Sequence, residues 1–188
     1  MLKKFLNKPA LSLDYSYIER SLTKEEHWKH PFTLLLQEGN IKLKEENFSS
    51  NKDSMFLGLK FIRGISEIVF RFIQEDVILV VLFKRIKKDC GLRSSFLDFA
   101  WFLDMVAKKE SGLNRIIGKV QRLKKGGHGD ISTERMVMFY IRHLNGSICQ
   151  VKGEPLDGFD KPKGIWVYLD MKNYKPFKRR RRKQWMNS

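Results

Sequence analysis

Hydrophobic residues fall in short dense blocks along this chain, and the polar stretches between them punctuate the expected elements. Ser21-Leu-Thr-Lys-Glu-Glu-His-Trp reads as a helix start, with Thr23 as N-cap and Glu25 and Glu26 in the first turn, where carboxylates meet the positive end of the helix dipole. Pro31 interrupts that helix, and Phe32-Thr-Leu-Leu-Leu opens a second with proline in its first turn. Glu45 to Ser54 is polar and reads as a loop, while Met55 to Ile65 is mixed and fits neither period. Ile68-Val-Phe-Arg-Phe-Ile and Val77-Ile-Leu-Val-Val-Leu-Phe are β-branched and aromatic, and Gln74-Glu-Asp between them turns the chain, which predicts a hairpin of buried strands.

The second half continues in the same manner. Phe96 to Ala107 is apolar apart from Asp98 and Asp104 and reads as a third strand. Leu113, Ile116, Ile117, Val120 and Leu123 share one face of an expected helix from Gly112 to Leu123, stopped by Gly126-Gly-His-Gly. Arg135 to Arg142 reads as a strand, Asn145-Gly as a tight turn, and Ser147 to Lys152 as the returning strand. A Pro/Gly/Asp loop from Glu154 to Gly164 leads into a last strand, Ile165 to Met171. The expected class is α+β, an α/β sandwich with a central mixed, mainly antiparallel sheet flanked by helices.

Length and composition narrow this further. At 188 residues the chain has room for one domain, expected over residues 1–170, with a basic tail over 171–188 expected to be flexible. Its 42% hydrophobic residues exclude wholesale disorder. The longest apolar run, Val77 to Phe83, is far below the roughly 20 residues of a membrane-spanning helix. The opening Met1-Leu-Lys-Lys-Phe-Leu lacks the apolar stretch and cleavage site of a secretory signal. Cys90 and Cys149 form no disulfide framework, which points to a reducing, cytoplasmic setting. Lys and Arg outnumber Asp and Glu by 37 to 21, a net +16, and eight of those positive charges lie between Met171 and Ser188. Such a balance calls for an acidic partner: nucleic acid, anionic lipid or an acidic protein.

Three residues could carry chemistry. An aspartate at position 104 inside an apolar strand would lose several kcal/mol of hydration unless a partner or a function offsets it. It is either a reactive carboxylate or a strand-end residue that caps a turn or pairs with a lysine. His27 and His30 flank Trp28 and Lys29, and an imidazole moves protons near neutral pH. They are either proton carriers or surface residues of a polar stretch. Other signals are weaker. Gly126-Gly-His-Gly follows a helix instead of opening one, so it reads as a loop and not a phosphate cradle. His128 and His143 have no ligand spacing for zinc, so no metal is expected. Cys90 lies among Lys88, Asp89 and Arg93 without a paired base, and Cys149 reads as core. Lys178-Arg-Arg-Arg-Arg-Lys-Gln-Trp could hold nucleic-acid phosphates with a stacking tryptophan, lie on an anionic membrane, or be a solvated end.

Trp101-Phe-Leu-Asp-Met-Val-Ala resembles the Trp-Phe-Ile-Asp-Trp-Ile-Ala signature of the toxin-activating lysine acyltransferases, and His27-Trp-Lys-His-Pro-Phe-Thr-Leu-Leu resembles that family's His-x-x-x-Pro-x-Ser-Leu-Leu segment. Glu67 to Leu82 stands where the family has its hairpin, and Phe139-Tyr-Ile-Arg-His-Leu-Asn-Gly where it has a strand containing Ile-Arg. The resemblance runs in order over residues 15–155. It implies a GNAT-like acyltransferase fold and transfer of a fatty acyl chain from acyl carrier protein to an internal lysine of a protoxin or other partner protein. It places the catalytic pair on His27, as proton acceptor, and Asp104, as orienter, with a backbone N–H on the thioester oxyanion and Arg142 in support. His30 replaces the family's tryptophan before the proline and is the alternative base. Lys24 replaces the family's serine, and Ala107-Lys-Lys-Glu replaces its Ala-Pro-Phe-Gly. Arg115, Lys119, Arg122, Lys124 and Lys125 are the expected contacts for the acidic carrier, unless they are a solvated helix face. The donor thioester is a substrate, no tightly bound cofactor is expected, and a homodimer is in keeping with the family. The competing readings are a basic nucleic-acid-binding protein and an acyltransferase fold kept as a binding partner.

Overall fold

A computed structural model describes residues 11–49, 54–87, 92–120, 133–144, 146–155 and 164–176. Gly126 to Gly129, His128, Cys90, Asn145, the cations Arg122, Lys124 and Lys125, and the arginine-rich stretch from Lys178 lie outside them, as does the side chain of His143. The elements in chain order are β1 (Leu11–Asp14), α1 (Tyr15–Ile18), α2 (Lys24–Lys29), α3 (Pro31–Glu38), β2 (Lys44–Ser49), β3 (Ser54–Arg63), β4 (Ser66–Gln74), β5 (Val77–Arg85), α4 (Leu92–Val106), β6 (Arg115–Val120), α5 (Thr133–Leu144), β7 (Ser147–Lys152) and β8 (Ile165–Asp170). The strands form one eight-stranded mixed sheet in the order β1-β7-β8-β6-β5-β4-β3-β2. The class is α+β. No helix among the described residues is long and apolar enough to cross a membrane.

Local signals near the start of the chain are obeyed. Thr23 caps α2 through a full capping box with Glu26, and Pro31 is the first residue of α3. The β4–β5 hairpin forms as expected, antiparallel from Gln74↔Val77 to Ser66↔Arg85. The β7 and β8 strands also fall where the sequence puts them.

Four expectations are overturned. Glu45 to Ser49 is not loop but most of β2, an edge strand paired with β3, where Glu46 and Lys60 form an ion pair. Phe96 to Ala107 is not a strand: Leu92–Val106 is helix α4. Phe99, Phe102, Leu103 and Val106 are buried at helical spacing, while Asp104 falls on the exposed face. Gly112 to Leu123 is not a helix, since Arg115–Val120 is strand β6. Ile116 and Ile117 are adjacent, both are buried, and they belong to two separate hydrophobic clusters. Only a strand sends neighbouring side chains to opposite sides. Arg135 to Arg142 is likewise helix, part of α5, whose Val137, Tyr140, Ile141 and Leu144 recur at helical spacing.

The main core lies on one face of the sheet, where Phe32 and Leu36 of α3 meet Phe99, Phe102 and Leu103 of α4 over Phe61, Phe70 and Phe72. A second cluster on the other face gathers Ile18 of α1 with Ile73, Val77, Leu79 and Ile117. Packing continues past residue 170, because the Tyr174 ring is buried in the main core.

Candidate functional site

His27 is fully buried in α2. Its Nδ1–H donates to the Thr23 carbonyl at 2.9 Å, and its Nε2 accepts the Phe72 backbone N–H at 2.9 Å. These two bonds fix the neutral tautomer and leave neither ring nitrogen open. The arrangement has a clear structural cause. β3 stays paired with β4 only as far as Leu59↔Phe70, so the backbone of Phe72 has no strand partner on that side. Leu22 N–H donates to the Phe72 carbonyl at 2.9 Å, and the imidazole takes the Phe72 N–H. The start of α2 therefore closes the sheet edge where β3 leaves it.

His30 is held in the same way. Its Nδ1 accepts the Phe32 N–H at 3.1 Å as N-cap of α3, and its Nε2–H donates to the Glu75 carbonyl at 2.7 Å. Its ring stacks on Phe72 at 3.7 Å. Burial pushes both imidazoles below the ordinary histidine value, with the backbone carbonyls of Thr23 and Glu75 partly opposing.

Asp104 is not the buried sheet carboxylate expected from the sequence. It is exposed on α4, and it accepts the Tyr174 hydroxyl at 2.7 Å. The expected His27–Asp104 hydrogen bond is absent, because the imidazole is spent on backbone and the carboxylate on a tyrosine. Asp98, the other acid of α4, accepts the Ile65 N–H at 3.0 Å and the Ser66 hydroxyl at 2.8 Å, pinning the β3–β4 turn. Arg142 is exposed on α5, and Arg115 is exposed where β6 starts. Lys119, another of the expected carrier contacts, lines a cavity.

That cavity was invisible to the sequence reading. β5 and β6 run parallel but pair only from Val77↔Arg115 to Val80↔Gly118. β5 goes on to Arg85 while still paired to β4, and β6 goes on to Val120 while still paired to β8. Between them the sheet splits. The split coincides with a bulge: Phe70 faces Val80 and Val69 faces Leu82, so Val81 is the extra residue. The resulting slot of about 370 Å³ is lined by Phe99 and Tyr140 of the core face and by Tyr15, Ile18 and Arg71 of the other. The pairing of β5 with β6 ends at Val80 and Gly118.

Polar groups sit on the slot wall. Glu154 pairs with Lys119 and accepts the Trp166 indole N–H at 3.0 Å. Arg71 Nη2–H donates to the Ile18 carbonyl at 2.5 Å, whereas its buried Nε has no hydrogen-bond partner. Burial pulls the Arg71 value down, opposed by Tyr15 and Glu19. Burial pushes the Tyr140 phenol up to about 12, so it keeps its proton at neutral pH. Cys149, buried in β7 as expected, is pushed up to about 11 by the same cause. Among the described residues no cluster of three or more His, Cys, Asp or Glu could hold a metal ion. Comparison with protein-family models, with curated proteins and with solved structures finds no match to the chain.

Proposed function

We propose that this chain is a GNAT-like acyltransferase that takes the thioester-bearing arm of an acyl carrier protein into the β5–β6 slot and passes the acyl group to an amine of a partner protein. The split parallel pair carries this reading. Four antiparallel strands, a helix, a strand parallel to the fourth, a second helix, and two final strands with the last inserted beside the parallel one make a topology that supports the GNAT-like assignment. A pantetheine arm is extended and bears amides. Such a chain suits an opened strand edge, where backbone groups can pair with it as an added strand would. Arg85 at the end of β5 and Lys87 two residues beyond it, next to the Lys84–Glu67 ion pair, give an acidic carrier an electrostatic counterpart beside the slot.

The chemistry does not run through His27 or Asp104 in this reading. The amine nitrogen attacks the thioester carbonyl carbon, the C–N bond forms, and the C–S bond breaks. A backbone N–H of β5 facing the slot holds the developing oxyanion, a contribution of about 10²–10³ in rate per donor. The Tyr140 phenol gives its proton to the leaving thiolate and recovers one from the attacking nitrogen. Positioned proton transfer of this kind is worth roughly 10²–10⁴.

The locked histidines favour a second reading, an acyltransferase fold that binds the carrier without transferring its acyl chain. One experiment separates the two. The chain is mixed with carrier bearing the acylated arm and with carrier lacking the arm, and complex formation and the mass of the carrier are followed. Preferential binding of the arm-bearing carrier with loss of the acyl mass supports transfer. Binding with the acyl mass retained supports the binding-only reading. Equal binding of both carriers overturns the slot assignment.

A further inference from the structure

The sharpest electrostatic irregularity among the described residues is Arg71. It sits mid-strand in β4 with its neighbours Phe70 and Phe72 fully buried, and its side chain reaches the slot wall on the α1 face. One of its five N–H donors goes to the Ile18 carbonyl at 2.5 Å, and Nε is buried without an acceptor. No carboxylate of the described residues comes within ion-pair distance of it. Tyr15, Glu19 and His27 act on it electrostatically, and none of them makes a hydrogen bond to it. A half-buried guanidinium without a counterion is an unfavourable arrangement, because part of its hydration is lost and one backbone carbonyl replaces it only in part. A ligand anion would supply the rest.

The rest of the slot says what kind of anion. Leu79, Val81 and Phe83 of β5, with Phe99 and Ile116, give the slot apolar walls besides Arg71, and the two other charged residues that line it, Lys119 and Glu154, are paired with each other. A small hydrated ion would leave those walls without contacts. A chain with one anionic head and an apolar tail uses both features. A planar carboxylate also suits the fork of guanidinium donors.

We infer that the slot is a binding site for a fatty carboxylate, with the carboxylate on Arg71 and the alkyl chain against Val81 and the wall formed by the packed rings of Phe83 and Phe99. This extends the slot reading given above but does not depend on acyl transfer. A free fatty acid would occupy the space assigned to the acyl arm, so it would compete with the loaded carrier.

The probe is octanoate, with octanol as the uncharged counterpart of the same length, titrated calorimetrically into the full chain. Octanoate is expected to bind saturably and at least tenfold more tightly than octanol. Arg71→Met, which keeps the apolar stem, is expected to lose at least tenfold in octanoate affinity and to leave octanol unchanged. Val81→Trp, which fills the slot without removing the cation, should abolish binding of both, and it serves if Arg71→Met does not fold. Octanoate bound equally by the native chain and Arg71→Met, or retained undiminished by Val81→Trp, overturns the proposal, as does the absence of saturable binding. Octanoate binding together with no transfer from a loaded carrier would sink the enzymatic reading and leave this site standing.

Discussion

The His27 Nε2 atom accepts the backbone N–H of Phe72 at 2.9 Å, so a side chain from α2 completes the edge of a β-strand 45 residues away. The bond turns an imidazole expected to do chemistry into part of the fold. Replacing His27 with Ala removes a buried ring and orphans the Phe72 N–H, while the Thr23 carbonyl keeps the backbone N–H of residue 27. The expected loss is about 2–4 kcal/mol of folding stability. Asp104→Ala removes only an exposed acceptor from Tyr174 and should stay within about 1 kcal/mol. Urea denaturation of the two variants checks the contrast. A His27→Ala protein as stable as the native chain would contradict the assignment.

Stability should fall in mild acid. His27 and His30 are both held below their unfolded value of about 6.5, chiefly by burial, with Arg71 and His30 lowering His27 further and Glu26 opposing. Below that value the unfolded chain takes up protons at these positions that the folded chain refuses. The unfolded state then binds more protons, and stability decreases as pH decreases. The slope fades as pH rises through about 6.5, where the unfolded histidines lose their protons. Thermal melts from pH 8 to pH 5 should show the melting temperature dropping only in the lower part of the range. A flat profile through that window would count against the buried neutral rings.

Gly64 has a left-handed backbone (φ 57°), and a Cβ there would come 2.4 Å from Asp98 Oδ1. Asp98 cannot withdraw without releasing Ile65 N–H and Ser66. Gly64→Ala is therefore expected to cost about 2–3 kcal/mol, combining backbone strain with a broken turn anchor. Gly153 is the control: its φ is similar, 74°, but nothing lies within 4 Å of its Cβ position. Gly153→Ala should show only the strain, about 1–2 kcal/mol. Equal effects at the two sites would mean that the Asp98 contact is not what constrains the turn.

Cys149 should resist alkylation. It is buried in β7, and its thiol is pushed up to about 11, so the reactive thiolate is scarce at pH 8. In a Cys90→Ala background, iodoacetamide should label Cys149 slowly in buffer and rapidly in denaturing urea, as read by intact mass. Fast labelling of the folded protein would show the β1–β7–β8 end of the sheet to be open.

The amino-acid order by itself determined whatever depends on near neighbours. Thr23 and Glu26 cap a helix because their groups are three residues apart, Pro31 starts the next because its φ is already helical, and the β4–β5 hairpin follows from two β-branched runs joined by a polar turn. Continuous apolar runs carry no such instruction. Phe96 to Ala107 is compatible with either period until the sheet supplies a surface for Phe99, Phe102, Leu103 and Val106 to cover together. Ile116 and Ile117 look helical until both faces of a strand are buried. The site lies further still from local rules. Tertiary structure alone decided that His27 and His30 would be consumed by the backbone of β4 and the β4–β5 turn, that Asp104 would face outward, and that β5 and β6 would part after Val80 and Gly118. The reason is physical: a ring nitrogen or a strand edge has no role until another segment, dozens of residues away, is packed against it or fails to be.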